Sequence, residues 1–538
     1  PTRRSSDLQE SDQVSDKIYS YNDGQKNPNN LEYDAFRRSM GGVEDSKKIE
    51  EIENKEFPMQ RLGSQTSIVH IDQSPPYIWV LFLIFGLIQI LFILLFGFYF
   101  SWDEKSNDPN KINTNSYALK EIKNKYRYFQ DITIMILLGF GFLRSFLKHH
   151  IWSSIVITFI SGVISFEFAF LCIITWTAII NREFMNKAYD FNIFFDSLYI
   201  SSCYIISFGS FFGKFSFPQY FVIILAENIF ASLNYILVRK KLEIIDVGGT
   251  ITVHLFGAVF GCLFAIISFC NKNEIERINT SVHFISDHSS NLFALFGSLI
   301  IIPLWPSFNT ALIEGNQKYR GIINTYFSIG GSIIGSFLIS PILNQKKFKL
   351  EDLLYASFPG AIAIGGCCHL IKEFYLCILF GIAASVLTLL AFYLFYEKIK
   401  INNSGYHDTA KVIFYHGVPA ILGGIISTIF IGNLKNLIPD ISQCTYKMFI
   451  CPSDSDIDNE GINNIQRKAG AMFGAIFLTL LIAGLSGLCV GFSVKFCNCN
   501  IAWRYFNDSE FFDVSGNEPF PWVDERVEFK FNYDSKPK

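Results

Sequence analysis

Asp246-Val247-Gly248-Gly249-Thr250-Ile251-Thr252-Val253-His254-Leu255-Phe256-Gly257 opens one apolar stretch, and Asp408-Thr409-Ala410-Lys411-Val412-Ile413-Phe414-Tyr415-His416-Gly417 opens another. In each, an Asp precedes a His by eight residues, and glycines follow the His: Gly257 and Gly261 in the first, Gly417, Gly423 and Gly424 in the second. On a helix rising 1.5 Å per residue, each imidazole sits about 12 Å beyond its carboxylate. An ionisable group inside an apolar span is costly and reads as functional by default.

Around these two stretches lie ten more segments with the length and apolarity of a membrane span, about 20 residues each. The twelve run roughly 76–100, 129–148, 151–179, 192–212, 219–238, 248–271, 291–313, 321–343, 353–371, 374–397, 411–432 and 470–495. The chain of 538 residues is 50% hydrophobic and 17% charged, with 56 Phe and a formal charge of -3. A soluble domain carries about 25% charge, a nucleic-acid binder a basic excess and a disordered chain few aromatics. The expected fold class is an all-α membrane protein of about twelve transmembrane helices. The two Asp-His stretches open the sixth and eleventh spans, so five crossings separate them and their Asp residues face opposite sides of the bilayer. That makes an inverted repeat, an arrangement that places a transporter's substrate site near the midplane, at the interface of the repeats.

The ends read differently. Residues 1–75 form a polar, disordered N-terminal arm, of which Pro1-Thr2-Arg3-Arg4-Ser5-Ser6-Asp7-Leu8 resembles a translated sequencing adapter. Residues 76–495 form the transmembrane domain, and 496–538 a polar C-terminal tail. Cys444 and Cys451 share the loop 433–469 and form a candidate disulfide if that loop faces an oxidising compartment.

The ionisable residues read as lying within spans are Asp131, Glu167, Glu227, His254, His369 and His416, with Asp246 and Asp408 at span mouths. A neutral imidazole offers one donor and one acceptor, so a His pair lines a narrow apolar path without raising a cationic barrier. Two other readings stay open: satisfied core histidines, and a metal site, against which no third or fourth ligand of suitable spacing accompanies either His. Asp246 and Asp408 either cap exposed helix N–H groups or draw cations to the mouths. With no nucleophile–base pair and no cofactor loop, an enzyme is the least supported class, and no cofactor is expected.

At these residues the sequence resembles the ammonium transporter and Rhesus glycoprotein superfamily, the Rhesus branch most. Phe129-Gln130-Asp131-Ile132-Thr133-Ile134-Met135-Ile136-Leu137-Leu138-Gly139-Phe140-Gly141-Phe142-Leu143 is similar to the Rhesus second-span signature. The stretch from Asp246 to Gly257, Trp305-Pro306-Ser307-Phe308-Asn309 with Ile323-Asn324-Thr325-Tyr326, and His416-Gly417-Val418-Pro419 complete the resemblance. It implies the ammonium transporter fold and a homotrimer in the membrane, most readily the plasma membrane. Each subunit would have its own pore, in which ammonium is deprotonated at a vestibule and passes as ammonia. It also implies that His254 and His416 are twin pore histidines, and that Phe308 and Tyr199, the latter replacing the usual Phe, form an aromatic gate with Asn309 as its polar neighbour. Both termini would be cytoplasmic.

The departures are specific. Glu167 and Glu227 stand where Rhesus proteins usually show Gln, His369 where they show Glu, and Tyr235 where many relatives are acidic. Ala410-Lys411-Val412-Ile413-Phe414 replaces a Cys-Gly-Ile-Asn-Asn stretch, and Lys411 either repels ammonium or snorkels to the interface. The resemblance leaves two further readings: a carbon dioxide channel, and a non-conducting Rhesus-like scaffold, from which the retained His pair differs.

Overall fold

The computed structural model describes residues 77–102, 117–182, 188–189, 192–215, 217–268, 286–313, 317–396, 407–433, 459–497, 508 and 512. Among them, nine helices are long and apolar enough to cross a membrane: Ile151–Asn181, Asn192–Phe211, Gln219–Lys241, Thr250–Ser268, His288–Thr310, Gln317–Leu343, Phe374–Tyr396, Ile413–Gly432 and Lys468–Phe496. A further helix covers Tyr77–Tyr99, and the second expected span is Tyr117–Ile134 continued by a π turn and the short helix Phe140–Leu143. The one sheet among the described residues is a two-residue parallel pair, Ser101–Trp102 with Ala188–Tyr189. This is an all-helical, multi-pass membrane protein. Cys444 and Cys451 lie outside the described residues.

The ninth expected span is not one helix. It breaks into Leu350–Tyr355 and Pro359–Gly365, with Pro359 in the first turn of the second piece. Proline has no N–H to continue the helix before it. The carbonyls at the C-terminal end of this short second piece, which lack intrahelical partners, are used inside the bundle: Ile362 O accepts from Thr250 Oγ1 at 2.8 Å, Ala361 O from Asn309 Nδ2 at 3.0 Å and Gly365 O from Gly248 N at 2.9 Å. Broken backbone at membrane depth is tolerated where protein satisfies it in this way.

The helix Asn192–Phe211 is the ruler of the molecule, with nearly all its residues buried. The helix carrying His254 packs tightly on it, because a Cβ on Gly257 would meet Cys203 O at 2.6 Å and one on Gly261 would meet Ser207 O at 2.8 Å. Small residues four apart allow such close backbone approach in membranes. Two contacts along this ruler fix the polarity of the repeat. The Gly249 turn packs by Tyr199, whereas Ala410 N donates to Gly209 O at 3.0 Å. Ten residues separate those points, about 15 Å of helix, so the two Asp turns sit at opposite ends. Large apolar side chains such as Leu83, Phe98, Phe159, Ile342 and Phe477 remain exposed on the outer surface, where lipid is the compatible solvent.

Candidate functional site

Each half of the site grows from the same local device. Asp246 Oδ2 accepts from Ile251 N at 3.1 Å, Thr252 N at 2.9 Å and Thr252 Oγ1 at 2.8 Å. Asp408 Oδ2 accepts from Ile413 N, five residues on as in the first copy, at 3.1 Å. Three residues after each Asp the chain enters the left-handed region, at Gly249 (φ +66°) and at Lys411 (φ +54°). Each His then lies in a π turn, Thr250–Leu255 or Ile413–Gly417, an irregularity frequent at functional sites. Both carboxylates are buried and turned onto their own helix starts.

The two devices bring His254 and His416 together through their Nδ1 edges. Their Nδ1 atoms are 3.3 Å apart, with ring centres at 5.5 Å and planes 16° from parallel. At that contact one Nδ1 donates and the other accepts, so the neutral pair holds opposite tautomers. His254 Nε2 is buried without a hydrogen-bond partner among the described residues. Trp305 stacks on His254 at 5.6 Å and 17°, and Phe358, placed by the break before Pro359, stacks on Trp305 at 5.2 Å and 15°. Phe140 lies 6.2 Å from His416. No group of three or more metal-ligating side chains occurs among the described residues.

On the Asp246 side of the pair, Phe308 lies 5.8 Å from His254, and Tyr199 closes on Phe308 at 4.7 Å. The Tyr199 hydroxyl donates to the Phe308 carbonyl oxygen. This carbonyl is in the last turn of a helix ending at Thr310, where acceptors lack intrahelical partners. Asn309 is held by neighbouring elements. Its Nδ2 donates to Ala361 O and, at 3.2 Å, to Thr325 Oγ1, bracing three elements.

The other singled-out groups are locally engaged. Glu167 accepts from Gln89 Nε2 at 3.0 Å, Glu227 from Ser207 Oγ at 2.6 Å and Asp131 from Ser307 Oγ at 2.5 Å. His369 is buried, and its carbonyl accepts from Arg320 Nε at 2.6 Å. The Tyr235 hydroxyl donates to Asp196 Oδ1 at 2.5 Å, while Lys240 pairs with Asp196 Oδ2 at 3.0 Å and Arg239 lies over the Tyr199 and Tyr235 rings at 6.0 and 5.2 Å.

The sequence reading passes over Asp196, Arg144 and Arg239. Asp196 was legible, being one turn before Tyr199 on the same helix; the buried Arg144, over Phe140 and Phe208, carries no motif. It also leaves Trp305 unassigned, although the quoted motif contains it.

At the Asp408 end, Lys411 pairs with Glu351, and Lys349 stands 3.3 Å from the other carboxylate oxygen. Burial pushes the Glu351 carboxyl up, but the Lys411 and Lys349 ammonium groups outweigh it and hold it below the usual carboxylate range. The C-terminal tail reaches this same end: Asp508 accepts from Trp152 N at 2.7 Å and Ser153 N at 2.9 Å, capping the helix that follows His150.

The sequence matches the Ammonium Transporter Family over residues 91–499. It is 28% identical to the rabbit (Oryctolagus cuniculus) ammonium transporter Rh type C over 444 residues, covering 81% of this chain and 90% of that protein. It is 29% identical to the Bos taurus ammonium transporter Rh type A over 355 residues, 64% of this chain and 79% of that one. Among solved structures, Rh50 of Nitrosomonas europaea aligns with a TM-score of 0.59 at 21% identity, over 74% of this chain and 94% of that one. Mep2 of Saccharomyces cerevisiae aligns with a TM-score of 0.54 at 15% identity, over 71% and 86%. At such identities the structural likeness speaks for the fold alone. With a match spanning most of its length, the chain belongs to the ammonium transporter family of multi-pass membrane proteins, a family of transporters rather than enzymes.

Proposed function

We propose that this protein is an ammonia-conducting channel: ammonium is recruited at one mouth, gives up a proton there, passes as ammonia along the Tyr199–Phe308–His254–His416 ring column, and is reprotonated at the other. The observation that carries the reading is the His254–His416 contact at 3.3 Å within that column. An ion stripped of water at this depth needs a partner charge, yet Asp246 and Asp408 are turned onto backbone N–H groups at the two ends. A neutral molecule with donors and a lone pair meets no such cost, and His254 Nε2 offers it a hydrogen-bonding site. Tyr199 and Phe308 form the gate, Asn309 braces it, and the two Asp residues set the helix starts that aim the imidazoles.

The working unit is a homotrimer in the plasma membrane, with residues 1–75 and 496–538 as cytoplasmic arm and tail around the 76–495 domain. Docking of Asp508 by Trp152 then makes the Asp408 end the cytoplasmic mouth. Uptake of radiolabelled methylammonium by a transport-deficient host tests the function. Cells expressing correctly inserted protein accumulate label above the empty-vector control, whereas equality with that control would sink the channel reading and leave the scaffold.

A further inference from the structure

The helix carrying His416 begins at a turn that its counterpart builds from glycine. Gly249 and Lys411 both occupy the left-handed region, which favours glycine. The Lys411 side chain leads from this turn into a cavity of about 280 Å³ at the Asp408 mouth, walled in part by Glu351, Lys349, Phe392 and Tyr355. There its ammonium pairs with Glu351 Oε1 and stands 4.8 Å from the centre of the Phe392 ring. Its side chain is 12% exposed, so it does not snorkel into water as long basic chains do. Lys349, 41% exposed, holds the other oxygen from farther out.

A carboxylate beside an aromatic face is the chemistry that binds small ammonium ions, through charge attraction and the ring quadrupole. The lysine head group is itself a primary alkylammonium. The geometry points to a binding site for ammonium or a small primary alkylammonium at the Asp408 mouth, filled by the chain's own Lys411, which competes with substrate for Glu351 and the Phe392 face. A site filled by its tethered competitor about 90% of the time binds free ligand about tenfold more weakly. The ion pair of Lys411 is with Glu351, while Asp408 Oδ2 receives Ile413 N at the start of its own helix.

The inference rests on the ammonium-channel reading, so its test has a binding arm that needs no conduction. Thermal unfolding of the purified full-length protein is followed against methylammonium chloride, with sodium chloride at matched ionic strength as control. Lys411→Gly, and Lys411→Asn as a second variant suited to the turn, gain stabilisation at roughly tenfold lower methylammonium than wild type. Adding Glu351→Gln to Lys411→Gly abolishes the gain, and Lys411→Arg behaves as wild type. In proteoliposomes, Lys411→Gly lowers the half-saturation for flux entering at the Asp408 mouth by the same factor. Equal methylammonium responses of wild type and Lys411→Gly, or a gain that survives Glu351→Gln, would overturn the site. The expected binding pattern in a protein that does not conduct would uphold the site and overturn the channel reading.

Discussion

Tyr199 carries a hydroxyl on a ring that packs tilted against Phe308 in the proposed gate, and that hydroxyl is committed to the Phe308 carbonyl. Tyr199→Phe therefore removes one buried hydrogen bond of about 1 kcal/mol and leaves the ring contact of the proposed gate in place. We expect a lower unfolding temperature with unchanged methylammonium flux. A collapse of flux at preserved stability would mean that the hydroxyl contacts substrate. The sequence singled out both rings, which the fold brings into contact, but not what the hydroxyl binds, because its partner is a main-chain oxygen 109 residues away. The same holds for Asn309, whose bonds to Thr325 and Ala361 make it a brace between helices.

At the scale of elements, the Asp turn is the unit that both repeats share. Asp246→Ala strips one buried carboxylate from three donors, a loss of about 3 kcal/mol. Asp246→Asn keeps an acceptor and loses less, so the two variants should rank in that order by thermal unfolding in detergent. If Asp246→Asn instead lost flux at wild-type stability, the negative charge rather than the cap would be the function of that residue. The Lys411–Glu351–Lys349 cluster supplies a pH signature. The Glu351 carboxyl is lowered, so the stability it contributes is present above the unfolded value of about 4.3 and is lost as pH falls through the lowered one. The stability gap between wild type and Glu351→Gln should hold steady above about pH 5 and close in stronger acid; a gap independent of pH would contradict the pairing.

Hydropathy located the helices well because burial in lipid demands long apolar runs. It could not see the break at Pro359, since mean apolarity over 353–371 is blind to which carbonyls lack a donor. Parity of the spans did carry through: opposed Asp turns follow from an odd number of crossings, and the structure sets them at opposite ends of Asn192–Phe211. Asp196 and Tyr235 were individually legible, but their pairing with each other and with Arg239 was not, because it joins two helices whose facing sides only packing determines.

For the whole molecule, the low charged fraction leaves a bundle with an apolar exterior and a central column of rings running from Tyr199 to His416. Asp508 ties the tail to the end where Lys411 and Glu351 lie, so the tail and the Asp408 end share one face. The central claim is that neutral ammonia passes by way of the two imidazoles. Its most direct test is stopped-flow recording of internal pH in proteoliposomes under an inward ammonium gradient, comparing wild type with His254→Ala, His416→Ala at matched insertion and oligomeric state. The account predicts protein-dependent alkalinisation in the wild type, without a dependence on membrane potential, and its loss in the double variant. Equal alkalinisation by the two proteins would contradict the role assigned to His254 and His416.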